Sequence, residues 1–562
     1  MAQPCTQPSN ADAKAVLIPF LAATALLVVL LAAIAAASLR LNRGKFVYTL
    51  DDPYIHMALA KNLVQHGVFG VTRYEFTSAT SSPLWTLLIA LSYGAVGVRE
   101  WVPGAWCVAF ALLALYAASR LGRFFGLGAW RNALLCLAVA VFTPMAPLAS
   151  TGMEHTLHTA LVLFLLLFVL ESLDTPGARR VVWACAIAAL AAGVRYESLF
   201  VILPLAAVYA LHRRLAAGCA LGASGCIVPG LYALYSMAHG SLPLPNSLLL
   251  KGTFHAAGNL AGLLNALGLH ALTQLQATGH LLALVVLVLG APLVRASARQ
   301  AARWLPAAFA AATLAHLQFA STGWFYRYEA YLVAAGTALA AGLLLSRKSK
   351  VESHKSEVAN RKSEIGNRKW HLALPALALV VILCYPLAER AARSAAQAPR
   401  ASRNIHEQQY QMGRFLSQAF PPGTRVAVND LGAVAFLADV RVLDLFGLGS
   451  IEVVRAKRAG RFGTAAIAEL LRAHGTEYLM LYKHWFRGDK ALPDSVLEVA
   501  TWDISDNVVC GGGTVTFFAT SPERAAALAA ALERFRPQLP RTVRVTAFIP
   551  SPPAAPRHVP QD

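Results

Sequence analysis

The stretch "AVLIPFLAATALLVVLLAAIAAASL", Ala15–Leu39, carries no charged residue. A helix of that length rises about 38 Å, more than the roughly 30 Å hydrocarbon core of a bilayer. Lys14 precedes it, as in a secretory signal. Signal h-regions are shorter, roughly 7–15 residues, so the run reads as an uncleaved first span. The chain leaves it through "YTLDDPYIHMALAKNLVQHG", Tyr48–Gly67, where two carboxylates, Asp51 and Asp52, stand side by side at the edge of the apolar segment.

The rest of the sequence agrees with that beginning. Of 562 residues, 57% are hydrophobic and only 14% charged, with a mean hydropathy of +0.51. This is the composition of a polytopic α-helical membrane protein. The net charge of +20 does not call for nucleic acid, because Lys and Arg gather in the cytoplasmic loops of such chains. The aromatics do not alternate with basic residues as a stacking platform requires. Six cysteines (107, 136, 185, 219, 226 and 384) lie in apolar runs, and only Cys5 and Cys510 lie outside them. No disulfide framework and no Cys/His zinc spacing follows.

About eleven segments suit a spanning helix: 15–39, 103–121, 132–150, 156–173, 181–194, 198–211, 215–237, 279–294, 303–320, 328–345 and 371–388. Basic clusters fall between them: Arg120, Arg123 and Arg131; Arg179 and Arg180; Arg213 and Arg214; Arg295, Arg299 and Arg303; and the tract 347–369. With these segments spanning, every cluster lands on one side, which the positive-inside rule makes cytoplasmic. Pro83–Gly97, "PLWTLLIALSYGAVG", is apolar but short and holds Ser92 and Gly94. Lying in the interface, it leaves the Asp pair outside. Spanning, it puts the pair in the cytoplasm, which Arg40, Arg43 and Lys45 mildly favour.

Residues 1–388 thus form a membrane domain. Within it, 346–370 is a basic linker that writes the unit KSE-V/I-A/G-NR twice. Residues 389–562 read as a small extracytoplasmic α/β domain. "TRVAVNDLGAVAFL" gives a strand, a turn and an apolar element, and "AAIAELLRAHGTEYLMLYKHWF" an amphipathic helix, a Gly stop and a strand. The Pro-rich end "PSPPAAPRHVPQD" reads as disordered.

The charged residues of the outer connections carry the chemistry. Asp52 precedes Pro53 and a segment closed by Gly67, so helix capping accounts for it. Asp51 has no such role, and a carboxylate at the membrane surface can serve as a general base toward a hydroxyl. "STGMEHTLH" supplies Glu154 and His155, "VRYESL" Arg195 and Glu197, "LPLPNSLLLKG" Asn246 and Lys251, and "STGWFYRYEAY" Arg327, Tyr328 and Glu329. A single Arg–Glu pair at a helix end is an ordinary ion pair or snorkelling anchor. Four such loops on one side bring carboxylates and cations to one cavity. Arg and Lys can grip a phosphate and a carboxylate can take a proton from an attacking hydroxyl, which suits transfer of a sugar from a lipid-linked phosphate.

The pieces "DDPYIHMALAKNLVQHG", "TSATSSPLWTLLIAL", "TGMEHTL", "VRYESLF", "LPNSLLLKG", "YRYEAYL" and "VNDLGAVAFLADVRVLDLFGLG" resemble, in order, the GT-C glycosyltransferases that use polyprenyl-phosphate sugars. The likeness is to the bacterial branch that includes the mycobacterial arabinofuranosyltransferases. It implies an EC 2.4 enzyme in the bacterial inner membrane, with its site and C-terminal domain extracytoplasmic. It makes Pro83–Gly97 a juxtamembrane helix of the first outer loop. Its donor would be a polyprenyl-phosphate-linked sugar, and its acceptor a glycan, lipid or protein. Asp51 is then the first candidate base and Asp52 the second, with Glu154 as the acidic residue of the second outer loop. Arg195, Lys251 and Arg327 become phosphate or sugar contacts, with His155, Glu197, Asn246 and Tyr328 around them. Tyr196 stands where the family has Pro, and Ser247 where it has Thr. A divalent metal stays open, since some members use one, although no dedicated spacing marks a site. Two other readings are a transporter or flippase for lipid-linked saccharides and a non-catalytic membrane subunit. Against the first, the charges sit at helix ends and no inverted repeat is visible.

Overall fold

A computed structural model describes residues 10–251, 274, 278–294, 300–346 and 368–548. The KSE repeats and the Pro-rich end lie outside the described residues. The chain is mostly helical up to residue 419 and then mixed α/β. Four helices, Lys14–Leu41, Val102–Phe124, His155–Asp174 and Leu215–Ala238, are long and apolar enough to cross a membrane. Shorter apolar helices accompany them, Ala129–Phe142, Tyr196–Leu211, Gly279–Leu293 and Ala330–Leu345 among these. The chain is a multi-pass membrane protein, its helix surfaces studded with exposed Leu, Val and Ile as lipid contact requires.

Two departures from the apolar runs have local causes. The run 132–150 is not one helix. It stops at Phe142 and resumes as Met145–Ala149, because Pro144 offers no N–H to continue the ladder. The run 371–388 lies inside the helix Arg368–Glu407, so the boundary expected at 388/389 falls within a continuous helix. Its apolar pattern fades, but its later residues keep a buried stripe through Ala398, Ala401 and Ile405.

After the first span, Asp52–His66 forms a helix with Pro53 in its first turn and Gly67 closing it at φ 68°. Pro83–Val96 packs against it and spans about 21 Å, short of the bilayer core. Trp85 and Ile89 are fully buried in that contact region. The helix ends then divide by charge. At one end Arg120 and Arg180 both reach Glu171, at 3.0 and 3.8 Å, and Arg131 donates to the Leu345 carbonyl at 3.0 Å. The connections holding Asp51, Glu154, Arg195 and Arg327 belong to the other end.

The C-terminal region carries a six-stranded sheet in the order β2-β1-β3-β5-β4-β6. The strands are β1 (Arg425–Val428), β2 (Arg441–Asp444), β3 (Tyr478–Leu481), β4 (Leu497–Asp503), β5 (Thr514–Ala519) and β6 (Arg544–Ala547). β2, β1 and β3 are parallel, with Val426 opposite Val442 and Tyr478. The remaining pairs are antiparallel. One face packs Trp502 and Phe517 against Phe415 and Phe535 of flanking helices, with ring centres 4.6–6.0 Å apart. The other buries Leu443, Leu479 and Phe518 under Val453, Ile467 and Leu471.

Candidate active site

The end of the bundle that gathers the charged loops holds two adjoining cavities. The first, about 260 Å³, is lined by Asp52, His56, Arg195, Glu197, Arg327 and Tyr328, with apolar walls from Leu199, Phe200, Leu248 and Phe319. The second, about 410 Å³, is lined by Asp51, Asp52, Tyr328 and, from the α/β region, Asn429, Asp430 and Trp485. Asp52 and Tyr328 belong to both walls.

The two arginines are held differently. Arg195 has its fork filled: Nη1 donates to Glu154 Oε1 at 2.9 Å, Nε to Glu197 Oε2 at 3.1 Å, and Nη2 to Glu197 Oε1. Glu154 is fully buried behind it, with its other oxygen 3.8 Å from His56 Nε2. Burial pushes the Glu197 carboxyl up, but the Arg195 charge outweighs it and holds the group below its usual range. Burial likewise drives His56 down, against the pull of Glu154. Arg327, 2% exposed, pairs with Asp52 and donates to the Tyr328 hydroxyl at 3.3 Å through Nη2 alone. Its buried Nε and Nη1 have no partner among the described residues. Buried guanidinium donors without acceptors are rare and costly, and their fork matches a phosphate.

Arg327 reaches this position on a strained turn. Trp324, Phe325 and Tyr326 hold φ values of 32°, 58° and 62° after Gly323 at 76°. Left-handed backbone costs a non-glycine residue roughly 1–2 kcal/mol. The surroundings impose it: Glu329 accepts from the Gly323 N–H at 2.9 Å and pairs with Arg390 at 3.0 Å, and Arg390 also donates to the Tyr326 carbonyl.

Asp51, 7% exposed, is engaged by the α/β region. Its Oδ2 accepts from the Gly432 N–H at 2.6 Å and its Oδ1 from the Ala433 N–H at 2.8 Å. It thereby caps the short helix Gly432–Leu437, 381 residues further along the chain. A Cβ on Gly432 would lie 2.2 Å from the Asp51 carbonyl oxygen, so only glycine permits this approach. Burial and the nearby charge of Asp430 push the Asp51 carboxyl well up, against the two backbone bonds. Asp430 is itself pushed up to about 6, by burial first and by the Asp52 charge, against a hydrogen bond from Gln409. Gln409 Nε2 donates to Asp430 Oδ2 at 2.7 Å, and the Tyr482 hydroxyl lies 3.1 Å from the same oxygen.

The sequence-predicted residues therefore fall into distinct places. Asp52, Arg195, Glu197, Arg327 and Tyr328 line the first cavity, and Asp51 lines the second. Glu154 backs Arg195. His155 is buried beside it, its ring 6.3 Å from that of Tyr328 and its Nδ1 4.0 Å from Glu154 Oε1, and neither nitrogen has a hydrogen-bond partner among the described residues. Asn246 ties its loop to the α/β region by donating to the Leu448 carbonyl at 3.0 Å. Lys251 ends the helix Asn246–Lys251, and its side chain lies outside the described residues. Asp430, Asn429, Trp324 and Trp485 were not anticipated. The "VND" that ends a strand was a signal: two polar residues at the carboxyl end of a parallel strand mark a site in open sheets. Among the described residues no group of three or more His, Cys, Asp or Glu side chains is arranged to hold a metal ion.

Comparison with known proteins bears on the fold. A family described as "Domain of unknown function (DUF8728)" matches residues 403–518. No curated protein matches the sequence. Among solved structures the chain is similar to ArnT from Cupriavidus metallidurans bound to undecaprenyl phosphate, at 14% identity, covering 89% of this chain and 99% of that one, with a TM-score of 0.50. It is also similar to the Archaeoglobus fulgidus oligosaccharyltransferase, solved with Zn and sulfate, at 13% identity, 90% and 77% coverage and a TM-score of 0.44. Arabinofuranosyltransferase AftD from Mycobacteria matches at 16% identity, with 87% of this chain and 40% of that one, and a TM-score of 0.37. The likeness to ArnT spans nearly the whole of both chains and establishes a GT-C fold relationship.

Proposed function

We propose that this GT-C-fold chain is a glycosyltransferase that moves a sugar from a polyprenyl-phosphate carrier to an acceptor hydroxyl, with Asp52 as the general base. The single observation behind this reading is the junction of Asp52 and Arg327. A carboxylate shared by two cavities stands beside a guanidinium with two unpartnered buried donors. The apolar walls of the first cavity suit a lipid carrier, and the ArnT structure contains undecaprenyl phosphate.

In the step proposed, the acceptor oxygen attacks the anomeric carbon and forms the new C–O bond. The anomeric C–O bond to phosphate breaks, and its electron pair leaves on the phosphate. The hydroxyl proton passes to Asp52. Nε and Nη1 of Arg327 meet the charge that develops on the phosphate, which is worth most in a site shielded from water. A single displacement inverts the anomeric centre. Glu154 and Glu197 hold Arg195 in place rather than touching substrate. Asp51 is the weaker candidate for the base because both its oxygens already accept backbone bonds. The site faces the extracytoplasmic side of a bacterial inner membrane, with the basic helix ends inside.

The test is a membrane assay that follows label from polyprenyl-phosphate sugars into acceptor. Asp52→Asn should stop transfer while the protein still inserts and folds, at a melting temperature lowered by loss of the Arg327 ion pair. Transfer at the wild-type rate in that variant would sink the assignment. Export of intact lipid-linked saccharide without cleavage would favour a flippase instead.

A further inference from the structure

The walls of the second cavity differ in kind from those of the first. Among the described residues they include Asp51, Asp52 and Asp430 and no Lys, Arg or His. An anionic group would meet carboxylates there, and the neighbouring Arg327 is already paired with Asp52, which amounts to selection against it. The same walls carry two large aromatics left open to solvent, Trp324 at 50% and Trp485 at 38% exposure. Trp485 is braced, with ring centres 5.8 Å from Phe446 and 5.3 Å from Tyr482. A Cβ on Gly511 would come within 2.7 Å of both Trp485 and Tyr482, so the chain passes behind the ring without a side chain. A braced, exposed indole is a preorganised flat surface. Asn429 is 6% exposed. Its Oδ1 accepts from the Tyr482 N–H at 3.1 Å, while its Nδ2 has no partner among the described residues. These groups follow the carboxyl ends of the parallel strands: Asn429 and Asp430 after β1, Phe446 and Leu448 after β2, Trp485 after β3. Ligands of open α/β sheets bind at such ends.

We infer that the second cavity is the acceptor subsite and takes an uncharged saccharide, its ring against Trp324 and Trp485 and its hydroxyls bonded to Asn429 and Asp430. The inference rests on the glycosyltransferase reading, since it is Asp52, common to both cavities, that an acceptor hydroxyl must reach. The apolar C–H face of a sugar suits the indoles. Its hydroxyls can donate to the Asp430 carboxylate and accept from the Asn429 amide. A phosphorylated acceptor meets no basic side chain among the described residues of these walls.

The experiment uses the full chain in lipid nanodiscs. Methyl glycosides of neutral hexoses and pentoses, and the same glycosides carrying a terminal phosphate, are titrated against tryptophan fluorescence and then offered as acceptors. Neutral glycosides should quench, and their phosphates should bind at least about tenfold more weakly. Trp485→Ala should raise the acceptor KM about tenfold without a matching rise in the donor KM, and Trp485→Phe should recover most of the loss. Preferential binding of the phosphates, no quenching by any neutral glycoside, or a donor KM that rises with Trp485→Ala would each overturn the inference. None of these would touch the base assignment, which falls instead if Asp52→Asn transfers sugar normally. Neutral glycosides that bind a wild-type protein which cleaves no polyprenyl-phosphate sugar would remove the enzymatic reading and leave a saccharide pocket.

Discussion

Arg327 and Asp52 show how a buried charge becomes legible only with its surroundings. Arg327→Lys keeps the charge but loses the planar fork, with its Nε and Nη1 donors. The donor KM should rise about tenfold in steady-state assays. Asp51→Asn keeps one backbone acceptor and turns an amide N–H₂ toward the other N–H. It should cost about 1–3 kcal/mol of stability, read as a lower melting temperature in detergent. Asp430 adds a pH effect. Its native value of about 6 lies above the ordinary 3.8, so the fold favours its protonated form. The stabilisation it gives is complete below about pH 3.8 and is lost as pH rises through about 6. The groups acting on Asp430 are Asp51, Asp52, Gln409 and Tyr482. Asp430→Asn should therefore melt higher than wild type above that value, and a series of melts across pH checks it. Asp51, Asp52, Arg195 and Arg327 could be picked from the sequence because a charge stands out in an apolar chain. Asp430 could not, since an Asp after a strand is ordinary in a polar segment and its setting depends on a distant contact.

Helices and turns set those side chains in place. The cap of Gly432–Leu437 by Asp51 joins the surface helix Asp52–His66 to the sheet, and Lys61 adds a bond to the Phe436 carbonyl. Gly432→Ala would drive a methyl group onto the Asp51 backbone. The α/β region should then dock poorly, seen as faster limited proteolysis between residues 400 and 432 and a lost or split melting transition. At the strained turn, Glu329→Gln leaves Arg390 buried without its counter-charge. The cost should be near 3 kcal/mol, and the donor KM should rise because Arg327 loses its fixed position. Apolar helices were readable from composition, as was the stop at Gly67, whereas composition left Pro83–Val96 open between a span and an interfacial helix. The break at Pro144 was missed because the run stays apolar across it. The full length of Arg368–Glu407 was missed because its second half is amphipathic, so a hydropathy pattern ends where the helix does not. The left-handed turn left no trace, since "GWFY" holds one glycine and three bulky residues that disfavour its backbone.

Across the whole molecule, the reading needs both cavities to open on the extracytoplasmic side. Asp51 is too buried to report this. Trp324 and Trp485 are exposed, one on the membrane portion and one on the sheet. Cysteine placed at each, in a background with Cys219 and Cys226 replaced because both are exposed, should react with an impermeant maleimide in intact cells. Labelling only after lysis would put the site in the cytoplasm and end the proposal. The α/β character of the C-terminal region was legible from its short apolar strands and amphipathic helices. That it walls the second cavity was not, because its contacts with the first outer loop join residues hundreds of positions apart. The bond between Asp51 and Gly432 also sets an order in time. While the ribosome is still making the later half, the backbone partners of Asp51 and the sheet side of the second cavity have yet to be translated. On the proposed reading, a chain that stops short of residue 429 would lack Asn429, Asp430 and Trp485, and with them the sheet side of the second cavity.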